Sequence, residues 1–142
     1  MSWLIKAQKL FYHGSPLHFP IGFILKPQNT GYVHDEKEIE DIVERYRPPD
    51  KISRFQAVFM VDNPELIDYA GGYEDFMYIV EPIGQIDKSD LSWYTDVSVY
   101  LDASPEEQKE WSFNYWNGVP YKNPANSLWE YRAREAEVVK LL

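Results

Sequence analysis

Leu10-Phe11-Tyr12-His13-Gly14-Ser15 is an apolar run that closes on a histidine, a glycine and a serine. Its aromatic and aliphatic residues, with the turn residue at the end, predict a strand over Lys9–Gly14. Three later segments stand out with it: Ala57-Val58-Phe59-Met60-Val61, Met77-Tyr78-Ile79-Val80-Glu81-Pro82, and Trp129-Glu130-Tyr131. A chain that opens and closes on strands, with helical patterns between them, reads as α+β.

Beyond this run, Phe19–Lys26 reads as a second strand, with Pro20 near its start and Pro27 just past it. Gln28–Val33 is a polar loop. Asp35–Arg47 is the clearest helix, because Ile39, Ile42, Val43 and Tyr46 recur on one face and acids occupy the other; Pro48-Pro49 ends it. Phe55–Val61 is a strongly apolar strand. Asn63 then caps a short helix that has Pro64 at its first position, runs to Ala70 and stops at Gly71-Gly72. Phe76–Glu81 is a further strand. Pro82-Ile83-Gly84 is expected to break it, with Gln85–Asp87 continuing in a new direction. Ser104-Pro105-Glu106-Glu107 is a capping box, and its helix should end near Asn117-Gly118. Val119–Ser127 is a loop. Leu128–Ala133 and Glu137–Leu142 are strands around a bend at Arg134–Ala136.

The 142 residues fit one domain, residues 1–142, and 44% hydrophobic with 16% aromatic residues is enough to bury a core. There is no cysteine, which excludes disulfides, thiolate metal sites and cysteine nucleophiles. No run approaches the roughly 20 apolar residues of a membrane span, and Met1–Lys6 does not resemble a signal peptide, so a cytoplasmic protein without membrane contact is expected. The net charge of −9 disfavours extended nucleic-acid binding.

His13, His18 and His34 have no metal-ligand spacing, and no metal is expected. No Gly-x-Ser-x-Gly elbow, phosphate loop or dinucleotide fingerprint occurs. What remains is His13 with Gly14. A strand-end histidine can donate to a sugar hydroxyl, and a glycine after it lets a planar amide approach free backbone N–H and C=O groups.

Tyr12-His13-Gly14-Ser15 resembles the first motif of the His-Tyr-Glu class of ADP-ribosyltransferases. The resemblance implies that His13 meets a ribose of NAD and that the Gly14 backbone, beside Ser15, holds the nicotinamide carboxamide. Phe59 and Tyr69 stand where that class places two aromatics that sandwich the nicotinamide ring. Phe59 replaces the usual tyrosine, which keeps stacking but removes a phenol. Tyr78-Ile79-Val80-Glu81-Pro82-Ile83-Gly84, Asn123-Pro124-x-x-Ser127 and Tyr131-Arg132-x-Arg134-Glu135 resemble segments of the small rifamycin-modifying members. In those, an aspartate follows the Glu-Pro strand; Asp87 and Asp90 are the nearby candidates.

The same resemblance implies a catalytic glutamate on a late strand, which is Glu130, with Glu135 and Glu137 as rivals. Leu128 lies where arginine-modifying members carry a glutamate, so arginine-directed transfer is disfavoured. The aromatic-rich stretch Glu110–Trp116 is read as core packing, or in part as an acceptor or protein interface. The implied whole is two small sheets with NAD, as substrate, in a cleft between them, and transfer of ADP-ribose to an unidentified acceptor: protein, nucleic acid or small molecule. Three alternatives stay open: an NAD glycohydrolase acting as a toxin or antiphage effector, a catalytically inactive binding module on the same fold, and a generic small acidic interaction domain whose motif matches arise by chance. The oligomeric state and the biological role are open as well.

Overall fold

The computed structural model of the protein describes residues 9–34 and 36–142. Among the described residues, seven strands fall into two antiparallel sheets, and three α-helices accompany them. In the first sheet, β1 (Phe11–Ser15) pairs with β4 (Phe76–Ile83), β4 with β7 (Glu135–Leu141), and β7 with the short β2 (Ile24–Leu25). The second sheet runs β3 (Val58–Met60), β6 (Trp129–Ala133), β5 (Asp87–Asp90). A bridge between Tyr12 and Val61 ties the two sheets, with N···O distances of 2.8 and 3.0 Å.

Alternation along the strands decides what each face carries. Val58, Met60, Tyr131 and Ala133 of the second sheet share a buried core with Tyr78, Val80, Ala136 and Val138 of the first. Phe59, Glu130 and Arg132 therefore point to the opposite face, and Phe59 lies directly across from Arg132. A second core packs on the helix side. It joins Ile39 and Val43 of α1 (Lys37–Arg45), Tyr94 and Val97 of α2 (Leu91–Val99), and Tyr115 and Trp116 of α3 (Pro105–Trp116).

The α+β reading holds, and several boundaries move. The second strand shrinks to Ile24–Leu25, because a turn closed by Phe23 N to Pro20 O occupies the stretch before it, with Gly22 at φ 88°. Arg54–Gln56 is a 3-10 turn capped by Ser53, so only Val58–Met60 is strand. The segment after Asn63 is a 3-10 turn over Pro64–Leu66 followed by further turns, not a helix to Ala70. Pro82 does not end β4. It lies past the last β1 pairing, Phe11 with Val80, where β4 keeps one neighbour and a missing N–H is tolerated. The helix expected from Asp35 begins at Lys37, and Asp35 itself lies outside the described residues.

Two elements are not foreseen in the sequence: β5 and α2. Leu91–Val99 mixes aromatic, β-branched and hydroxyl residues whose intrinsic helix preference is weak. It is helical because Leu91, Trp93, Tyr94 and Val97 are buried and because the Asp90 side chain caps it, accepting from Ser92 N at 3.1 Å. The capping box at Ser104 forms as expected, and α3 stops at Asn117. At Arg134 the chain leaves the second sheet and enters the first, which explains the bend expected there.

Candidate functional site

A small cavity opens where β1 meets β3 and β6. Its wall includes His13, Gly14, Phe59 and Glu130, four residues brought together from three strands of both sheets.

The His13 imidazole is buried, and its Nδ1 lies 2.7 Å from the Phe59 carbonyl. A carbonyl only accepts, so Nδ1 carries the proton and Nε2 presents a lone pair. Nε2 has no hydrogen-bond partner among the described residues. Burial pulls the His13 pKa below its ordinary value, and the Phe59 hydrogen bond only partly opposes this. The ring is therefore a neutral acceptor that would receive a hydroxyl proton at Nε2, the reverse of the donor role expected from the sequence.

Gly14 follows on the same strand. Tyr12 spends its N–H and C=O on Val61, away from β4. By antiparallel alternation Gly14 directs its own N–H and C=O to that same edge. A Cβ here would come within 2.1 Å of the Tyr73 carbonyl oxygen and 2.5 Å of Ile67 Cγ2, so only glycine fits.

Ser15 is turned elsewhere. Its hydroxyl donates to the Thr30 carbonyl at 2.6 Å and accepts from Leu17 N at 3.0 Å, which stitches down the following loop. Tyr69 does not join the cavity wall either; it is 75% exposed. The turns after Asn63 do not bring it back over Phe59 as a full helix was expected to. Tyr69 instead borders a neighbouring recess of ≈ 180 Å³ together with Tyr32, Arg54, Ala70 and Tyr94. The ring that does lie against Phe59 is Tyr32, at 4.7 Å between centroids, and the Arg54 guanidinium lies 4.8 Å from the Phe59 ring.

Glu130 is 1% exposed and held on both oxygens. Arg54 Nη1 donates to them at 3.1 and 3.2 Å, the Tyr115 hydroxyl donates to Oε2 at 2.5 Å, and Arg132 Nη1 approaches at 3.5 Å. Arg54 also donates through Nε to Glu40 at 2.9 Å. Burial opposes the Arg54 charge, but the oxygens of Tyr115, Glu130 and Glu40 overcome it and hold its pKa well above the ordinary value. Burial likewise pushes Glu40 up, and hydrogen bonding from His34 with the Arg54 charge brings it below the ordinary value. Burial also raises the Tyr115 pKa, and Arg132 and Arg54 do not cancel this; the phenol stays protonated and donates. The result is a buried, fully hydrogen-bonded carboxylate beside the cavity, with the Arg54 and Arg132 charges on the same face of the sheet.

The rival acids are occupied elsewhere. Asp87 accepts from Ile52 N at 2.6 Å and Gln85 Nε2 at 2.9 Å. Asp90 accepts from Ser92, Tyr121 and Leu128 backbone N–H groups; burial raises its pKa, and these bonds, with Ser127, lower it below the ordinary value. Glu135 pairs with Lys26 at 3.7 Å in the first sheet, and Glu137 sits there opposite Ile24. None of the four lines the cavity. In α3, Trp116 donates to the Val43 carbonyl at 2.8 Å and is fully buried, as is Tyr115, whereas Phe113 is 51% exposed, so this aromatic stretch is divided between core and surface.

Sequence reasoning missed Tyr32, Glu40, Arg54, Tyr115 and Arg132. Two signals point to members of this set. Glu40 sits beside Ile39 and three residues before Val43, on the buried side of its helix, and Arg132 is two residues from Glu130 and so shares its face. Nothing local marks Arg54. Among the described residues, no three His, Asp or Glu side chains cluster as a metal ion would require, and no helix is long and apolar enough to cross a membrane.

No protein-family model, curated protein or solved structure matches this chain.

Proposed function

We propose that the protein binds NAD in an ADP-ribosyltransferase-like cleft, breaks the nicotinamide–ribose bond and transfers ADP-ribose to an acceptor. The observation that carries this reading is the convergence of His13, Gly14, Phe59 and Glu130 on one cavity, from distant parts of the chain. Each supplies a different part of the chemistry. The free lone pair of His13 Nε2 accepts a ribose hydroxyl. The Gly14 strand edge pairs with the carboxamide as a further strand would. The Phe59 ring offers a stacking face. As nicotinamide leaves with the bonding electron pair, the sugar becomes an oxocarbenium-like cation, and the fixed Glu130 carboxylate stabilises that charge more than it stabilises the ground state. The acceptor then attacks the anomeric carbon and loses a proton.

The test is incubation of the pure protein with NAD labelled in its adenylate half, with and without a cell lysate, while nicotinamide release is measured. Transfer predicts label in a protein, nucleic-acid or small-molecule fraction. Full release without any acceptor identifies water as acceptor and makes the protein a glycohydrolase. One observation favours a second reading, a binding module without catalysis. Arg54 and Tyr115 already engage both Glu130 oxygens, leaving less of the carboxylate for a substrate. NAD binding without nicotinamide release would establish that reading, and neither binding nor release would end both.

A further inference from the structure

We propose that Tyr32 is a built-in plug: its ring occupies the face of Phe59 on which a planar substrate ring would stack, and binding requires it to swing out. That the substrate ring is nicotinamide rests on the function proposed above; the blockage itself does not.

The cavity walled by His13, Gly14, Phe59 and Glu130 encloses only ≈ 20 Å³. That holds about one water molecule, whereas small-molecule sites are about 300–1,000 Å³. A six-membered ring carboxamide does not enter it as it stands. Tyr32 is one of the residues that close it in, and the one whose ring lies against Phe59. Its ring lies 4.7 Å from Phe59 at an interplanar angle of 40°, the spacing of a substrate ring stacked there. The ≈ 180 Å³ recess lies on its other side, and Tyr32 and Ala70 belong to the walls of both spaces. One side chain thus borders both a small, mainly apolar cavity that holds an unpartnered buried acceptor, His13 Nε2, and the larger recess beside it.

Swinging out is a rotation about the side chain's own bonds and needs no movement of the backbone. Gly31, just before it, has φ 76° and packs against Pro16. Thr30 is fixed by the Ser15 hydroxyl and accepts from Tyr32 N at 3.2 Å, so rotation of the ring need not disturb β1. The Tyr32 hydroxyl reaches Arg54 Nη2 at 3.4 Å and its ring meets His34 edge-on at 5.0 Å, while Arg54 keeps Glu40, Glu130 and Tyr115 as partners when the ring leaves. A site competent for only a fraction of the time binds more weakly by that fraction, so removing the plug tightens binding.

The experiment uses benzamide, a planar ring carboxamide that cannot react, titrated calorimetrically into the full chain. Tyr32→Ala should bind it at least about tenfold more tightly than wild type, and Phe59→Ala added to that variant should abolish the gain. Weaker or unchanged binding in Tyr32→Ala overturns the plug, weaker binding being the result if Tyr32 were the second half of an aromatic sandwich. Tyr32→Leu, which keeps apolar bulk, serves if the alanine variant does not fold and should shift affinity in the same direction. In wild type, ring-to-ring nuclear Overhauser contacts between Tyr32 and Phe59 should vanish at saturating benzamide; contacts that persist also overturn it. The two proposals fail separately. Tighter benzamide binding with no NAD turnover leaves the plug standing and removes the enzyme, whereas NAD turnover with no gain in Tyr32→Ala does the reverse.

Discussion

Glu130 is asked to serve two ends, and substitution can separate them. Glu130→Gln keeps the shape but leaves Arg54 and Arg132 short of a buried counter-charge, so it should destabilise the fold by about 3 kcal/mol. If Glu130 also stabilises the sugar cation, nicotinamide release per folded molecule should fall roughly 100-fold or more. Thermal unfolding and turnover measured well below the midpoint read the two effects independently. A lowered midpoint with undiminished turnover would make Glu130 purely structural. Glu135→Gln, at an exposed pair with Lys26, should change stability by no more than about 0.5 kcal/mol and leave turnover alone.

At the level of elements, β1 and the cap of α2 carry the sharpest expectations. Gly14→Ala places a methyl 2.1 Å from a backbone oxygen, which cannot turn aside as a side chain would. The turn bearing Tyr73 must shift, at a cost of about 1–3 kcal/mol, and the edge offered to a carboxamide is distorted with it. Urea unfolding should register the loss; an unchanged midpoint would mean that the Ile67–Tyr73 turn is soft. Asp90→Ala removes a helix cap and also the acceptor for Tyr121 and Leu128 N–H groups. It should cost more than the roughly 1 kcal/mol of an ordinary cap, about 2–3 kcal/mol in all, read by the same denaturation experiment. Ser104→Ala, at an exposed cap, is the comparison and should cost about 1 kcal/mol.

For the whole molecule, the buried titratable groups set a pH profile. His13 has a folded pKa below its ordinary 6.5, so between those two values the unfolded chain binds a proton that the folded one refuses. Stability therefore rises with pH through this window and falls as pH drops below about 6.5, with a slope of at most about 1.4 kcal/mol per pH unit. Glu40 has a folded pKa below its ordinary 4.5, so its contribution is present above that value and is lost as pH falls through the folded pKa. The His13 loss sets in at the higher pH, below about 6.5, and the Glu40 loss at the lower, below about 4.5. His13→Asn, whose side-chain amide can still donate to the Phe59 carbonyl, should flatten the upper window and leave the lower one in place. Denaturant midpoints at about pH 5, 6 and 7.5 check this. A variant with the wild-type slope between them would show that His13 is not the group responsible.

Local chemistry makes much of this protein legible in its sequence. The Ser104 capping box, the amphipathic face of Ile39, Ile42 and Val43, and the apolar strands around Tyr12, Phe59 and Tyr78 each state their conformation through neighbours within a few residues. The α+β class follows from their order. The resemblance of their motifs implies that His13, Gly14, Phe59 and Glu130 meet around one ligand, but no local pattern shows that they do. Other outcomes depend on partners far along the chain. Leu91–Val99 is a helix because its buried side chains find α1 and α3, not because its residues favour one. Tyr69 is turned away and Tyr32 turned in because the segment after Asn63 closes as short turns, a balance that packing decides. Arg54 becomes the hub of the buried charges only because β6 and α3 bring Glu130 and Tyr115 to it. The tautomer of His13 is set by a carbonyl 46 positions away. Burial and long-range hydrogen bonds are properties of the assembled molecule, and no window of sequence contains both partners.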